Sequence, residues 1–287
     1  MAATDTLERA GSPPISVRRI QPSVGRHSID FRELWDYREL LYRMLWRDVK
    51  TRYKQTFLGP LWVILKPLAS MVLLAAVFGG LAGFKSGTSV PYPLFLFGGM
   101  LIWNYFSSAL SGATSSVLSN SGLLGKVYFP RLYAPLESVS APLVDLALAM
   151  TITIGLFAWF GTWPNWHIIF LPVFVLLALL AGLGIGIWFS GIVVRYRDFG
   201  FMLPYAISLA MYASPVLYPA SRLPKPYSDL IALNPMTSVL DGFRWALLGT
   251  AAPNIGVLGV STAVGLAILV SGLFHFRRVE RTIIDHV

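Results

Sequence analysis

Six long apolar stretches punctuate the chain: Leu58–Phe84, Pro93–Leu118, Leu132–Phe160, Ile168–Val194, Phe201–Tyr218 and Ile255–Phe276. A helix needs about 20 mostly apolar residues to cross a bilayer, so each stretch predicts a transmembrane helix, the fifth being the shortest. Ahead of them the pattern changes. Asp30 fits a helix N-cap with Glu33 at the third helical position. From there one face reads Phe31, Leu34, Trp35, Leu41, Leu45 and Val49, and the other Arg32, Asp36, Glu39, Arg43, Arg47, Lys50 and Lys54. Steps of three and four make a helical stripe. An apolar face with aromatics opposite a cationic face describes a helix lying in the membrane interface, and no second soluble domain is present for it to cover. Gly59-Pro60 then turns the chain into the bilayer, Pro60 being tolerated in a first helical turn.

The predicted fold is an all-α membrane protein of six transmembrane helices. Residues 1-29 lack any apolar period and read as a disordered cytoplasmic tail. Residues 30-57 form the amphipathic interface helix, 58-276 the transmembrane domain and 277-287 a cytoplasmic tail. Short re-entrant helices are expected before the last span. Asn234 suits an N-cap and Pro235 the first helical position. Met236, Val239, Leu240, Phe243 and Leu247 then share one apolar face up to Gly249. That helix is about 20 Å long, too short to cross, so it should dip into the outer leaflet and return.

Composition agrees with lipid as the solvent: 55% of the 287 residues are hydrophobic and 13% charged. Charge then sets orientation, because cations favour the cytoplasmic side. Eleven of the 23 Lys and Arg precede the first span. Lys126 and Arg131 follow the second, Arg195 and Arg197 the fourth, and Arg277, Arg278 and Arg281 the last. The opposite connections, Lys85–Tyr92 and Gly161–His167, hold one cation and none. Both termini are therefore expected in the cytoplasm. The Pro219–Asn254 connection carries Arg222, Lys225 and Arg244 but is long, and the rule weakens there. The net charge of +9 reads as orientation plus affinity for anionic lipid headgroups, not as a nucleic-acid footprint. The absence of cysteine excludes disulfides and thiol chemistry.

Catalytic motifs are lacking. "GLLGKV" (122–127) has only two residues between its glycines and a valine after its lysine, so it is no phosphate loop. "GLGIG" (182–186) lies inside the fourth span. There Gly182, Gly186 and Ser190 fall four apart, a seam for close helix approach. The scattered histidines suggest no metal site, and no Asp-x-Asp pair would hold a metal-bound sugar nucleotide. Lys66, Glu137 and Asp145 are the charges inside spans. Lys66 lies about 12 Å into its helix. It either snorkels to the headgroups, or faces inward to pair with Glu137 or an anionic substrate headgroup.

The run "RDVKTRYKQTFLGPLWVILKPL" (47–68) resembles the polysaccharide-export permeases, the membrane subunits of type 2 ABC exporters for O-antigen, capsular polysaccharide or teichoic acid. The resemblance continues in "FLFGGMLIWNYFSSAL" (95–110), "LLGKVYFPR" (123–131), "VRYRDFG" (194–200) and "LNPMT" (233–237). It implies a homodimer in the bacterial inner membrane, paired with a separate cytoplasmic ABC ATPase dimer. ATP and Mg belong to that partner, and this chain has no cofactor or catalytic residue of its own. The substrate implied is a polysaccharide, lipid-linked. Two cytoplasmic connections are implied to dock the ATPase, through Leu123, Leu124, Lys126, Tyr128 and Arg131, and through Arg195, Arg197 and Asp198. Arg43, Arg47, Lys50 and Lys54 would face cytoplasm, headgroups and ATPase, leaving Arg52 off their stripe. An aromatic-lined path makes Trp62, Lys66, Trp103, Tyr105, Phe106, Tyr205, Tyr212, Tyr218 and Trp245 the substrate-path candidates. Sugar rings can stack C–H faces on such aromatics, which otherwise serve as interface anchors. A permease for another lipid or a drug, or a non-transporting membrane scaffold, are the competing readings.

Overall fold

The computed structural model describes residues 35–54, 59–120, 122, 130–196 and 198–283, and all their regular structure is helical. In chain order the helices are α1 (Arg38–Tyr53), α2 (Leu61–Leu74), α3 (Tyr92–Ser119), α4 (Tyr133–Ser140), α5 (Pro142–Phe160), α6 (Leu171–Arg195), α7 (Asp198–Ala213), α8 (Tyr227–Ala232), α9 (Pro235–Leu248) and α10 (Ile255–Ile283). α2 widens into π-helical turns over Ala75–Leu81, where Gly79 leaves room for the Tyr92 ring; a Cβ there would lie 2.8 Å from it. The first tail and the Asp30–Glu33 cap lie outside the described residues.

Among the described residues, five segments are long and apolar enough to cross a membrane: Leu61–Leu81, Tyr92–Ser119, Tyr133–Phe160, Trp166–Arg195 and Ile255–Arg278. The other apolar stretch, expected to run from Phe201 to Tyr218, stops early. α7 has 16 residues with Pro204 inside, about 24 Å of helix against about 30 Å of hydrocarbon. Pro215 explains the stop, since it disfavours helical backbone at Ser214 and supplies no N–H of its own.

α3 is the central post. Most of its residues are buried, against α6 on one side and α4, α5, α9 and α2 around it. α6 approaches it along the small-residue seam. A Cβ on Gly186 would lie 2.4 Å from that of Ala113, and one on Gly182 3.1 Å from that of Ala109. Ser190 is fully buried on the same seam. α6 meets α10 as closely on another face, where a Cβ on Gly184 would fall 2.8 Å from the Cα of Leu269. The outer helices keep large apolar side chains exposed, among them Val72, Leu73, Ile154, Trp159, Val270 and Phe274, as lipid-facing helices do.

α9 forms as its caps dictate. The Asn234 side chain accepts from Met236 N at 2.9 Å, Pro235 opens the helix, and Gly249 ends it at φ 66. Its expected apolar face, Met236, Val239, Leu240, Phe243 and Leu247, is buried. α1 seats Met44 against Tyr133 and Leu136, flanked by Tyr37, Leu40 and Leu41. The buried stripe is thus centred on Met44. Trp35, placed on the apolar face by spacing alone, is 68% exposed and holds the Arg38 guanidinium over its ring.

Candidate functional site

Three helices each turn one face toward a common cavity of about 370 Å³. α2 supplies Trp62, Lys66 and Ser70, one turn apart, with Val63 and Pro67 beside them. α3 supplies Leu101, Asn104, Tyr105, Ser107 and Ser108. α5 supplies Pro142, Asp145, Leu146 and Ala149. These are steps of three and four on every helix, so single faces meet. A second cavity of about 350 Å³ adds Arg52, Tyr53 and Gly59, and shares Trp62, Val63, Lys66 and Asp145 with the first. Gly59, at φ 44, makes the tight corner between α1 and α2 that L-residues with side chains resist. The two spaces are neighbours that share those four residues, and each mixes polar with apolar lining.

Its charges are ordered. Arg52 donates to Asp48 Oδ2 at 2.9 Å and to Asp145 Oδ2 at 3.0 Å, while the Tyr53 hydroxyl donates to Asp145 Oδ1. Burial by itself would lower the Arg52 pKa, but Asp48 and then Asp145 outweigh it and raise the value. Burial, then the bond to Asp145, raises the Tyr53 phenol as well, so it stays a donor at any physiological pH. These contacts account for the arginine that lay off the cationic stripe. Lys66 makes no ion pair among the described residues. Glu137, considered as its partner, lies elsewhere. It is 4% exposed, within hydrogen-bonding reach of the Asn120 amide and near Arg47, Arg52 and Asp48. The carboxylate that shares the lysine's cavity is Asp145.

The substrate-path candidates divide. Trp62, Lys66 and Tyr105 line the cavity, though the Tyr105 hydroxyl is engaged by Val139 O at 3.1 Å. Trp103 and Phe106 are buried, their rings 5.3 Å apart. Tyr205 and Tyr212 are exposed on α7, and Tyr218 reaches the Tyr212 carbonyl at 3.4 Å. Trp245 joins a ring cluster with His167, Phe170 and Phe174. Of the cationic stripe, Arg43 pairs with Glu39 at 2.6 Å and Lys50 covers Trp46. Lys54 is exposed at the helix end, and Arg47 donates to Asn120 Oδ1 at 3.1 Å. Leu123, Leu124, Lys126, Tyr128 and Arg197 lie outside the described residues. Arg131 is half-buried, Arg195 is exposed over the Tyr196 ring, and Asp198 opens α7.

Sequence reasoning passed over Asn104, Ser107 and Ser108. The signal existed: Asn104, Ser108, Ser111 and Ser115 recur at helical spacing along α3, and none of them is buried. It also read Arg244 only as a cation of the outer connection. Arg244 is 1% exposed. It donates to Phe95 O at 3.1 Å, Pro215 O at 2.7 Å and Val216 O, and lies over the Phe95 ring at 3.8 Å.

The sequence pattern of the ABC-2 type transporter family matches residues 39–248. The chain is 32% identical over 254 residues to the O-antigen export system permease protein RfbA of Myxococcus xanthus, covering 87% of this chain and 96% of that one. It is 26% identical over 247 residues to a protein of the same name in Klebsiella pneumoniae, covering 84% and 92%. To the polysialic acid transport protein KpsM of Escherichia coli it is 26% identical over 207 residues, covering 70% and 78%.

Proposed function

Because this chain belongs to the ABC-2 type transporter family, we propose a concrete transport path for it and start from what its relatives establish. It is the permease subunit of a polysaccharide exporter. The finer reading is that it moves a lipid-linked glycan from the cytoplasm across the inner membrane. Two copies would enclose the path, with both termini cytoplasmic and α7 completing a sixth crossing by means of the segment after it. α8 and α9 would form the re-entrant pair on the outer side. A separate ABC ATPase, holding ATP and Mg, would dock at the connections after α3 and after α6, through Lys126 and Arg197 among others.

One observation carries the path: a hydrophilic wall inside membrane-spanning helices. Asn104, Ser107, Ser108 and Ser70 face a cavity whose other members include Trp62 and Lys66. Polar side chains at membrane depth mark pathways, because lipid would leave them unsatisfied. Hydroxyls and an amide can trade hydrogen bonds with successive sugar hydroxyls, and Trp62 offers a flat apolar face to the sugar C–H groups. Lys66 supplies positive charge for an anionic headgroup.

The test is export by Lys66 variants at matched protein levels. Lys66→Gln should lower surface glycan about tenfold, the cost of roughly one charged contact, while Lys66→Arg should keep most of it. Adding Glu137→Gln should bring no recovery, since the two residues do not meet. Normal export by Lys66→Gln would reduce the lysine to a snorkelling side chain.

A further inference from the structure

α6 and α10 run side by side in the same direction, and their closest approach is at glycines. A Cβ on Gly184 would fall 2.8 Å from the Cα of Leu269, and one on Gly272 2.8 Å from the Gly184 carbonyl oxygen. One turn nearer the end that carries Arg195 and Arg278, side chains meet instead of backbones. The Trp188 indole donates to Ser271 Oγ at 3.1 Å, and Ser271 donates to Ile268 O at 2.9 Å. The His275 imidazole lies flat on the indole, with ring centroids 4.3 Å apart and planes 4° apart. Trp188, Val270, Ser271 and Phe274 are all exposed here, so the stack lies on the lipid-facing side of both helices. We propose that this groove binds the headgroup of an anionic phospholipid, with His275 and Arg278 donating to its phosphate oxygens, Arg195 at the rim and Trp188 beneath. The proposal rests on the membrane placement of α6 and α10, not on which substrate the permease moves.

His275 is the observation that points to a ligand. Ionisable side chains within spans ordinarily turn to the bundle interior. This one is half-buried against an exposed indole, and its ring nitrogens have no hydrogen-bond partner among the described residues. Stacking fixes the plane of the imidazole and leaves its N–H edge to whatever lies beside the helices. Depth says what that is. Arg195 and Arg278 are the last residues of their crossing segments, and both are exposed. His275 stands three residues before Arg278, about 4.5 Å along the axis, within reach of a headgroup phosphate. Arg195 stands seven residues after Trp188, about 10.5 Å down the same helix face. An indole suits the level just beneath the headgroups. Charge selects the headgroup. Neither arginine makes an ion pair among the described residues, although Arg195 also lies over the Tyr196 ring. Two cations favour a lipid of net negative charge over a zwitterionic one, whose own cation would meet them.

The test is native mass spectrometry of the full chain in mild detergent, after incubation with equal amounts of dioleoyl phosphatidylglycerol and dioleoyl phosphatidylcholine. The wild-type chain should retain phosphatidylglycerol in preference. Arg278→Gln should lower that retention about fivefold, the effect of one cation at a charged membrane surface. His275→Leu should lower it as well, and Arg195→Gln with Arg278→Gln should lower it further than either arginine variant alone. All these positions lie on the surface, so thermal-aggregation midpoints should stay at the wild-type value. Lys85→Gln with Arg222→Gln removes two exposed cations elsewhere and should leave retention unchanged. Equal retention of the two lipids, or equal loss in the two double variants, would mean that net charge acts and not this groove. Glycerol phosphate in large excess should not displace the lipid; displacement would make this a site for a soluble anion. Retention by monomers but not by dimers would give the groove to a second copy of the chain. Glycan export is not read, so each of these failures leaves the permease reading standing.

Discussion

Among the described residues Arg244 makes no ion pair within 4 Å, although Asp241 one turn earlier interacts with it electrostatically; three backbone carbonyls and an aromatic face hold its guanidinium. Space for it depends on an absent side chain, since a Cβ on Gly99 would sit 2.1 Å from its Nη2. Gly99→Ala should therefore destabilise by about 1–3 kcal/mol through forced displacement. Arg244→Met, which leaves the carbonyls without donors, should cost on the order of 3 kcal/mol. Both are measurable as lower thermal-aggregation midpoints of the purified protein in detergent. No reading of spacing could have assembled this site. The carbonyls lie 149, 29 and 28 positions from the arginine, and a backbone acceptor leaves no mark in residue identity. The Lys66 cavity was half legible for a related reason. Lys66 and Trp62 stand out against apolar neighbours, whereas the choice between Glu137 and Asp145 depends on which faces of α4 and α5 turn inward.

At the level of elements, periodicity and caps served well wherever one helix obeys local rules. Asn234, Pro235 and Gly249 bound α9 as their chemistry requires. The four-residue spacing of Gly182, Gly186 and Ser190 marked the close-packing side of α6, and the structure supplies α3 as its partner. Hydropathy overran the end of α7, because it scores the apolar Val216 and Leu217 without seeing that Pro215 ends the helix before them. It also could not tell the exposed side of α1 from its docked side, since both carry large aromatics. The seam can be tested against a matched control. Gly186→Leu must push on Ala113 and the Leu110 carbonyl, 3.1 Å from a Cβ at that site. It should cost about 2 kcal/mol or more and reduce the amount of folded protein in the membrane. Gly155→Leu on α5, where a Cβ meets nothing within 4 Å, should be accommodated. Equal yields for the two would mean that α3 and α6 do not approach as described.

For the whole molecule, cation asymmetry proposes that both chain ends lie in the cytoplasm and that the segment between α7 and α10 lies outside. Reporter fusions at Ala2 and Val287 should read cytoplasmic and one at Ser228 external; a cytoplasmic signal at Ser228 would leave α7 on one side of the membrane. Membrane class, helix order and family-like segments were legible because they are properties of contiguous runs. The cavity was less so, because it exists only once α2, α3 and α5 are side by side. The central position of α3 has a further consequence, for synthesis. It is the least apolar of the five spans, with serines and an asparagine down one side and glycines down another. Yet it leaves the ribosome well before α6 and α9, its covers. At bacterial translation speeds α6 follows on the order of ten seconds later. During that interval the least lipid-compatible helix of the protein must wait in the bilayer or beside the insertion machinery. A chain stalled before α6 leaves the Ala109 and Ala113 side of α3 without the helix that packs on it.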